Sequence, residues 1–144
     1  MKRNTQVGSK KNAKAKAWKQ FSKYIRLRDS DKNGYCRCIS CGDRRFWEGD
    51  GMQSGHLIGG RSNAVLFHPD LVFAQCASCN YRSGEQASFW LALKKVKGWT
   101  DEKWDELKAL KNKTIKYTFA DLKEIEEKYA DMAIGEAHKR GLNL

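Results

Sequence analysis

Two segments of the sequence, Cys38-Ile39-Ser40-Cys41 and Cys76-Ala77-Ser78-Cys79-Asn80, decide the fold of this protein. Each contains two cysteines with two residues between them, and a few tens of residues separate the pairs. This spacing is typical of a closed site in which four thiolates bind a structural zinc ion. Ordinary buried cysteines are the alternative, but two matched pairs rarely arise by chance. We therefore predict a structural Zn²⁺ site formed by Cys38, Cys41, Cys76 and Cys79.

The fifth cysteine, Cys36, is left over by this assignment. We predict that it is a small buried residue and not a fifth ligand. Gly42, directly after the first pair, suits a tight turn in which backbone amides point at a thiolate. The N-terminal residues are basic but lack the apolar core of a secretory signal, so we expect an intracellular protein without disulfides.

The charge of the chain indicates a polyanionic partner. Its 144 residues include 28 Lys and Arg against 17 Asp and Glu, a formal net charge of +11, and the pI is about 9.5. Such an excess favours nucleic acid as the partner over a merely soluble basic surface. No apolar run is long enough to span a bilayer, so we expect no membrane contact.

We predict an α+β fold in three parts. Residues 1–12 form a disordered basic arm, 13–98 a zinc-braced core with an N-terminal basic helix over 13–28, and 99–144 a C-terminal helical extension. The aromatic stripe of the first helix should pack in the core, and the turn-forming residues 29–34 should end this helix.

Local patterns predict the remaining elements. We expect short strands over 65–67 and 71–74, and a helix over 85–97 that ends at Gly98. Thr100 is expected to cap a further helix, and Thr118 with Asp121 to form a capping box at the start of the last one. The apolar stripes of the C-terminal helices could pair two chains in a homodimer or pack on their own domain.

The loop between the cysteine pairs contains Gly55-His56. Near its unperturbed pKa a neutral imidazole can take a proton from water, as hydrolysis of a phosphodiester requires. A lone histidine is more often structural, but the zinc clamp and the basic chain favour catalysis here. Asn80 offers an amide oxygen to a divalent metal ion, although an asparagine at this point could equally be a helix N-cap.

The order C-x-x-C, Gly-His, strand, C-x-x-C-Asn, helix resembles the zinc-containing branch of the HNH, or ββα-metal, endonucleases. Within that branch, segments 35–42, 55–56, 72–80 and 83–84 look like the NinG (Rap) recombination proteins of lambdoid phages, and 17–29 is similar too. The resemblance covers about residues 15–98. The position of Asn80 directly after the last predicted zinc ligand, Cys79, is also similar to endonuclease VII of the T-even phages, a junction resolvase.

The resemblance implies a small ββα-metal core, braced by zinc, and a DNA endonuclease that requires Mg²⁺ or Mn²⁺. Its expected substrates are branched recombination intermediates in the cytoplasm of a bacterial host. By position, His56 is the implied general base and Asn80 the implied ligand of the catalytic metal.

The sequence departs from this pattern at two positions. Many HNH enzymes have an acidic metal ligand where Gly55 stands, and a middle asparagine where Leu71 stands. Asp70 or His68 could replace the missing ligand, or Asp50 could reach the metal ion from the loop. These departures favour an alternative function, that of a non-catalytic zinc-ribbon DNA-binding or phage packaging-accessory protein.

Contacts to DNA are expected mainly at phosphates, which position a protein without reading bases. We predict that the basic arm and the first helix make these contacts together with basic residues of the core. The individual residues that we assign to them are Lys19, Lys23, Arg26, Arg61, Arg82 and Lys94.

Overall fold

A computed structural model of the protein describes residues 2–49, 51–59, 62–82 and 86–144. Within these ranges the chain is a mixed α+β protein with six α-helices and two small antiparallel sheets, β1–β2 and β3–β4. A single turn of 3-10 helix, Pro69–Leu71, precedes β4. The elements in chain order are α1 (Lys2–Arg28), β1 (Tyr35–Arg37), β2 (Arg44–Phe46), β3 (Met52–His56), α2 (Asn63–Leu66), β4 (Val72–Cys76), α3 (Ala77–Tyr81), α4 (Gln86–Lys97), α5 (Asp101–Leu110) and α6 (Phe119–Lys139).

Helix α1 is longer than the sequence suggested. It ends at Arg28, as predicted, but begins at Lys2, so that it includes most of the segment predicted to be a basic arm. The few apolar side chains before Ala13 predict a disordered arm. A helix that is already nucleated by its docked part, however, gains one hydrogen bond for each residue that it adds.

The sheet of β3 and β4 lies between two apolar clusters. All five residues of β4 are buried, and its side chains alternate between the two faces, as in any strand. Val72, Ala74 and Cys76 belong to one cluster, whereas Leu71 and Phe73, just before and within the strand, belong to the other. The antiparallel register pairs His56 with Val72 and Met52 with Cys76.

The first cluster joins the two ends of the chain. Phe21 of α1 packs edge-on against Tyr129 of α6, with 4.8 Å between the ring centroids, and against Phe67, at 5.8 Å. Leu122, Ala133 and Ala137 of α6 are buried in the same cluster. The apolar stripe of α6 therefore packs on its own chain, which is one of the two uses that the sequence left open.

The second cluster packs α4 and α5 on the other face of the sheet. Phe89 and Leu93 of α4 and Leu107 of α5 are buried there. Trp90 and Trp104 join the two helices, with 4.7 Å between their ring centroids. The C-terminal helices thus contribute to both clusters around the sheet.

Strand prediction was right for one of the two apolar runs. The run 71–74 lies largely in β4, but Val65 and Leu66 belong to the short helix α2 and not to a strand. Ala64, Val65 and Leu66 are consecutive and all buried. Three buried residues in a row do not distinguish a strand from a buried helical turn.

The predicted caps are present. Thr100 Oγ1 accepts a hydrogen bond from the backbone of Lys103 at 3.4 Å, and Thr118 with Asp121 forms the capping box of α6. Gly98 follows α4 with a φ of 66°. In the part of the chain that the structure describes, no helix is both long and apolar enough to cross a membrane.

The contact between α1 and α6 generates a stability prediction. Phe21→Ala removes a fully buried ring, so we expect the free energy of unfolding to fall by about 3–5 kcal/mol. Ile134→Ala on the exposed side of α6 is the control, because Ile134 is 45% exposed and should change stability by less than about 1 kcal/mol. Equal effects in urea denaturation would contradict the observed packing.

Candidate metal centre and catalytic site

The four predicted zinc ligands come together in the structure. The sulfur atoms of Cys38, Cys41, Cys76 and Cys79 all lie within 4.8 Å of one another. With Zn–S bonds of about 2.3 Å, a tetrahedral site places neighbouring sulfurs about 3.8 Å apart. The Sγ atoms of Cys41 and Cys76 are 3.8 Å apart, so these four thiols could hold a zinc ion.

Backbone N–H groups are directed at sulfur atoms of this cluster. The N–H groups of Asp43 and Cys79 point at Cys41 Sγ, at 3.4 Å, and at Cys76 Sγ, at 3.5 Å. Gly42 adopts a φ of 78°, a backbone conformation that side chains disfavour. Burial works to raise the pKa of the Cys38 thiol, but hydrogen bonds from backbone amides outweigh it, and this pKa lies below its ordinary value.

Cys36 stands apart from the metal centre. Its side chain is fully buried, and its thiol donates to the backbone carbonyl of Arg26, with 3.1 Å between sulfur and oxygen. Burial raises its pKa to about 12, so the group is a thiol and not a metal-binding thiolate. Its prediction as a small buried residue is confirmed.

His56 and Asn80 line the same cavity, of about 540 Å³. We call it the His56 cavity. His56 ends β3, while β4 runs back to Cys76, which is the N-cap of α3. Asn80 lies within α3, so it is not the N-cap that we considered as its alternative role. The lining residues are Trp18, Ser22, Arg26, Met52, Gln53, Ser54, His56 and Asn80.

His56 is half-buried, and Trp18 and Leu66 are among the neighbours that orient its ring. The ring stacks on Trp18 of α1 with 5.0 Å between centroids and 19° between planes. Its Nε2 lies 3.3 Å from the carbonyl oxygen of Leu66, at the end of α2. Because a carbonyl only accepts, this hydrogen bond requires hydrogen on Nε2 and makes Nδ1 the basic nitrogen of the neutral imidazole.

Helix α1 is held against β3 beside this cavity. The hydroxyl groups of Ser22 and Ser54 are 2.8 Å apart. Arg26 is fixed by donating from Nη1 to the carbonyl of Trp47, at 2.7 Å, and from Nε to that of Ser22, at 3.2 Å. These two bonds use two of the five N–H donors of Arg26. Its guanidinium therefore places a positive charge at the cavity and has three further donors.

Asn80 has a partner that sequence reasoning missed. Its Nδ2 donates to Oε1 of Gln53 on β3, at 2.8 Å. Because the amide nitrogen faces Gln53, the amide oxygen of Asn80 is directed elsewhere. No local pattern identified Gln53, whose role depends on the pairing of β3 and β4 with α3 above them.

Many HNH enzymes have an acidic ligand at the position of Gly55. In this structure the side chain of Gln75 occupies the space that a side chain at residue 55 would need. A Cβ atom at residue 55 would collide with Oε1 of Gln75 and lie 3.1 Å from the Cβ of Gln75. Gln75 is buried and donates from Nε2 to the hydroxyl of Ser40, at 2.8 Å, in the first cysteine pair. Leu71, at the position of the middle asparagine, is fully buried.

Two of the proposed substitute ligands, His68 and Asp70, are not among the described residues that line the His56 cavity. Nδ1 of His68 accepts a hydrogen bond from the backbone of Asp70, at 3.2 Å, and the carboxylate of Asp70 is paired with Lys103, at 3.1 Å. Burial lowers the pKa of His68. Asp50 lies outside the described residues. Catalytic metal binding by His68 or Asp70 stays a prediction.

The residues predicted to contact DNA lie in different settings. Lys19 and Arg82 are exposed, and Lys23 is half-buried. Arg26 lines the His56 cavity, and Arg82 lines a neighbouring pocket with Asn80. Lys94 is paired with Asp101 at 3.2 Å. Arg61 lies outside the described residues.

A larger cavity, of about 700 Å³, lies beside β1 and β4. Two of its arginines are neutralised by ion pairs, Arg28 with Asp29 at 2.7 Å and Arg44 with Asp31 at 2.8 Å. It contains no histidine. The smaller His56 cavity is therefore the better candidate for chemistry.

The cysteine cluster predicts the metal content of the protein. We expect one zinc per purified chain, and we expect Cys76→Ser to lose it, because a structural site needs all four thiolates. Cys36→Ser is the matched control and should retain the zinc. Elemental analysis with circular dichroism measures both, and retention of zinc by Cys76→Ser would contradict the assignment.

Comparison with known proteins finds a family model that matches this chain. No curated protein and no solved structure matches the chain. A family model described as "Bacteriophage Lambda NinG protein" matches residues 1–139, which include the cysteine cluster, the His56 cavity and all of α6. The chain therefore belongs to the family of the bacteriophage lambda NinG protein.

Proposed function

We propose that this protein is an HNH-type, metal-dependent DNA endonuclease that hydrolyses phosphodiesters in branched intermediates of phage recombination, such as junctions or D-loops. The observation that carries the proposal is the convergence of His56, Asn80 and Arg26 on one cavity. A strand-strand-helix unit brings the first two together, and the four-cysteine cluster braces it. The net charge of +11 supports a nucleic-acid substrate.

In this proposal His56 is the general base. Its Nδ1 takes a proton from the water molecule that attacks phosphorus, while the carbonyl of Leu66 and the ring of Trp18 hold the imidazole in place. As the new P–O bond forms, the P–O bond to the leaving sugar oxygen breaks, and that oxygen takes a proton from solvent. A base positioned in this way contributes about 10²–10⁴ to the rate. Arg26 binds the non-bridging oxygens of the phosphate through its remaining N–H donors.

The dependence on Mg²⁺ or Mn²⁺ is proposed from the resemblance to HNH enzymes. Among the described residues, those that line the His56 cavity offer the amide oxygens of Gln53 and Asn80 and no carboxylate. Protein sites for Mg²⁺ ordinarily use one or two carboxylates. These residues do not complete such a site, and the steps above use only groups of the chain itself.

The absence of a carboxylate among the described lining residues favours a second candidate function. A non-catalytic zinc-containing DNA-binding protein, or an accessory protein of phage packaging, would have the same zinc cluster and the same positive charge. It would bind DNA without cutting it. Cleavage assays separate the two functions.

We expect the wild-type protein to cut a synthetic four-way junction in Mg²⁺ or Mn²⁺, and His56→Ala to reduce cutting by at least about 100-fold, because the general base is lost. His138→Ala, which changes an exposed histidine of α6, is the control and should cut normally. Gel electrophoresis of labelled junctions measures the rates. Binding without cutting by the wild-type protein would favour the second function.

A further prediction concerns Gln53. Gln53→Met removes the acceptor for the Asn80 amide and should reduce cutting by about tenfold, the loss of one hydrogen bond of about 1.4 kcal/mol. Gln53→Glu retains an acceptor oxygen and should reduce it less. Single-turnover rates at saturating protein measure both variants, and equal rates for Gln53→Met and the wild type would exclude this role of Gln53.

A further inference from the structure

A second basic cavity lies where α1 meets the segment before α6. It has a volume of about 380 Å³, and we call it the lysine cavity. Four lysines surround it, three of them exposed. Lys10 and Lys11 lie in the predicted basic arm and Lys14 in the first helix, both of which were expected to contact DNA phosphates, whereas Lys116 lies outside the segments so assigned. The lining residues are Lys10, Lys11, Lys14, Asn63, Lys116, Tyr117 and Leu122.

Hydrogen bonds fix the walls of this cavity. Lys14 Nζ donates to the side-chain oxygen of Asn63 at 2.8 Å. The amide nitrogen of Asn63 donates to the carbonyl of Ile115, at 2.8 Å. The hydroxyl of Tyr117 donates to the carbonyl of Asn63, at 2.9 Å. Three chain segments are thus joined at Asn63, so the lysines are presented on a preformed surface.

The positive charge of the cavity is not neutralised within the described residues. Lys10, Lys11, Lys14 and Lys116 form no ion pair there, whereas Lys123 and Lys139 on α6 pair with glutamates of their own helix. The carboxylate of Asp121 accepts the backbone N–H of Thr118 in the cap of α6, and that hydrogen bond, with a smaller contribution from the nearby Lys10, lowers its pKa. One carboxylate near four lysines leaves the cavity with a net positive charge. Ammonium groups of like charge around one cavity repel one another, and an anion would relieve that repulsion.

The lysine cavity and the His56 cavity follow one another along α1. Lys14 is four residues before Trp18, which stacks on His56, and Ser22 and Arg26 continue at the same interval. Neighbouring members of this series lie one above the other, and the series winds by about 120° around the helix axis between Lys14 and Arg26. Helix α2 also connects the cavities: Asn63 at its start binds Lys14, and the carbonyl of Leu66 at its end binds His56.

We propose that the lysine cavity binds backbone phosphates of the same DNA molecule whose reacting phosphodiester lies in the His56 cavity. This inference rests on the proposed function in one respect, namely that the phosphodiester that is cut lies in the His56 cavity. From Lys10 to Arg26 the helix rises about 24 Å, which is the length of about seven phosphates on one strand of B-DNA. A continuous polyanion matches such an extended row of cations, whereas a small anion would occupy a single point on it.

The experiment measures the salt dependence of DNA binding. The test variant is K10Q/K11Q/K116Q, which spares Lys14 because of its bond to Asn63. The control variant, K123Q/K128Q/K139Q on α6, changes the net charge by the same amount. Fluorescence anisotropy with a labelled four-way junction and a linear duplex, without added Mg²⁺ or Mn²⁺, gives Kd at a series of salt concentrations. Circular dichroism confirms that both variants are folded.

We expect the test variant to lower the slope of log K against log salt concentration by about 2–3, because each lost phosphate contact removes about 0.9 from it. Its Kd at low salt should rise at least about tenfold, while the control should change the slope by less than about 1. Equal effects of the two variants, or no effect of the test variant, would overturn the proposal.

The result of this binding experiment does not depend on whether the protein cuts DNA. A wild-type protein that never cuts, together with a selective effect of the lysine variant, would refute the proposed endonuclease and retain the lysine cavity as a DNA-binding site. A protein that cuts, together with an unchanged slope for the lysine variant, would refute this inference alone.

Discussion

Cys76 is the point on which the arrangement of the candidate site depends. It ends β4, it is the N-cap of α3, and its sulfur belongs to the four-cysteine cluster. The chain therefore changes from strand to helix at a residue that a metal ion could hold in place. Since β4 is paired in register with β3, a fixed start for α3 also fixes Asn80 relative to the strand that carries His56.

The sequence allowed prediction of those features that local chemistry determines. The spacing of the cysteines gave the cluster, and the Thr118–Asp121 pair gave the start of α6, because a thiolate site and a capping box each need particular residues at particular intervals. His56 and Asn80 were identified from their positions relative to the cysteines. Their approach to one cavity follows from the same short segments.

Features that depend on distant contacts could not be predicted in this way. Helix α1 extends to Lys2 although its first residues lack an apolar stripe. The buried run at Val65 is helical, although three consecutive buried residues are equally compatible with a strand. The roles of Gln53 and Lys14 arise from partners far along the chain, Asn80 and Asn63. Neither hydrophobic periodicity nor a sequence motif identifies residues of this kind.

The contact between Gly55 and Gln75 has a consequence for how these two positions can change. Gln75 fills the space above Gly55 and holds Ser40 beside the first cysteine pair. An aspartate introduced at residue 55 alone would displace that side chain and break its hydrogen bond. The two positions are therefore expected to covary. An acidic residue at position 55 can be accommodated only after a smaller side chain has replaced Gln75.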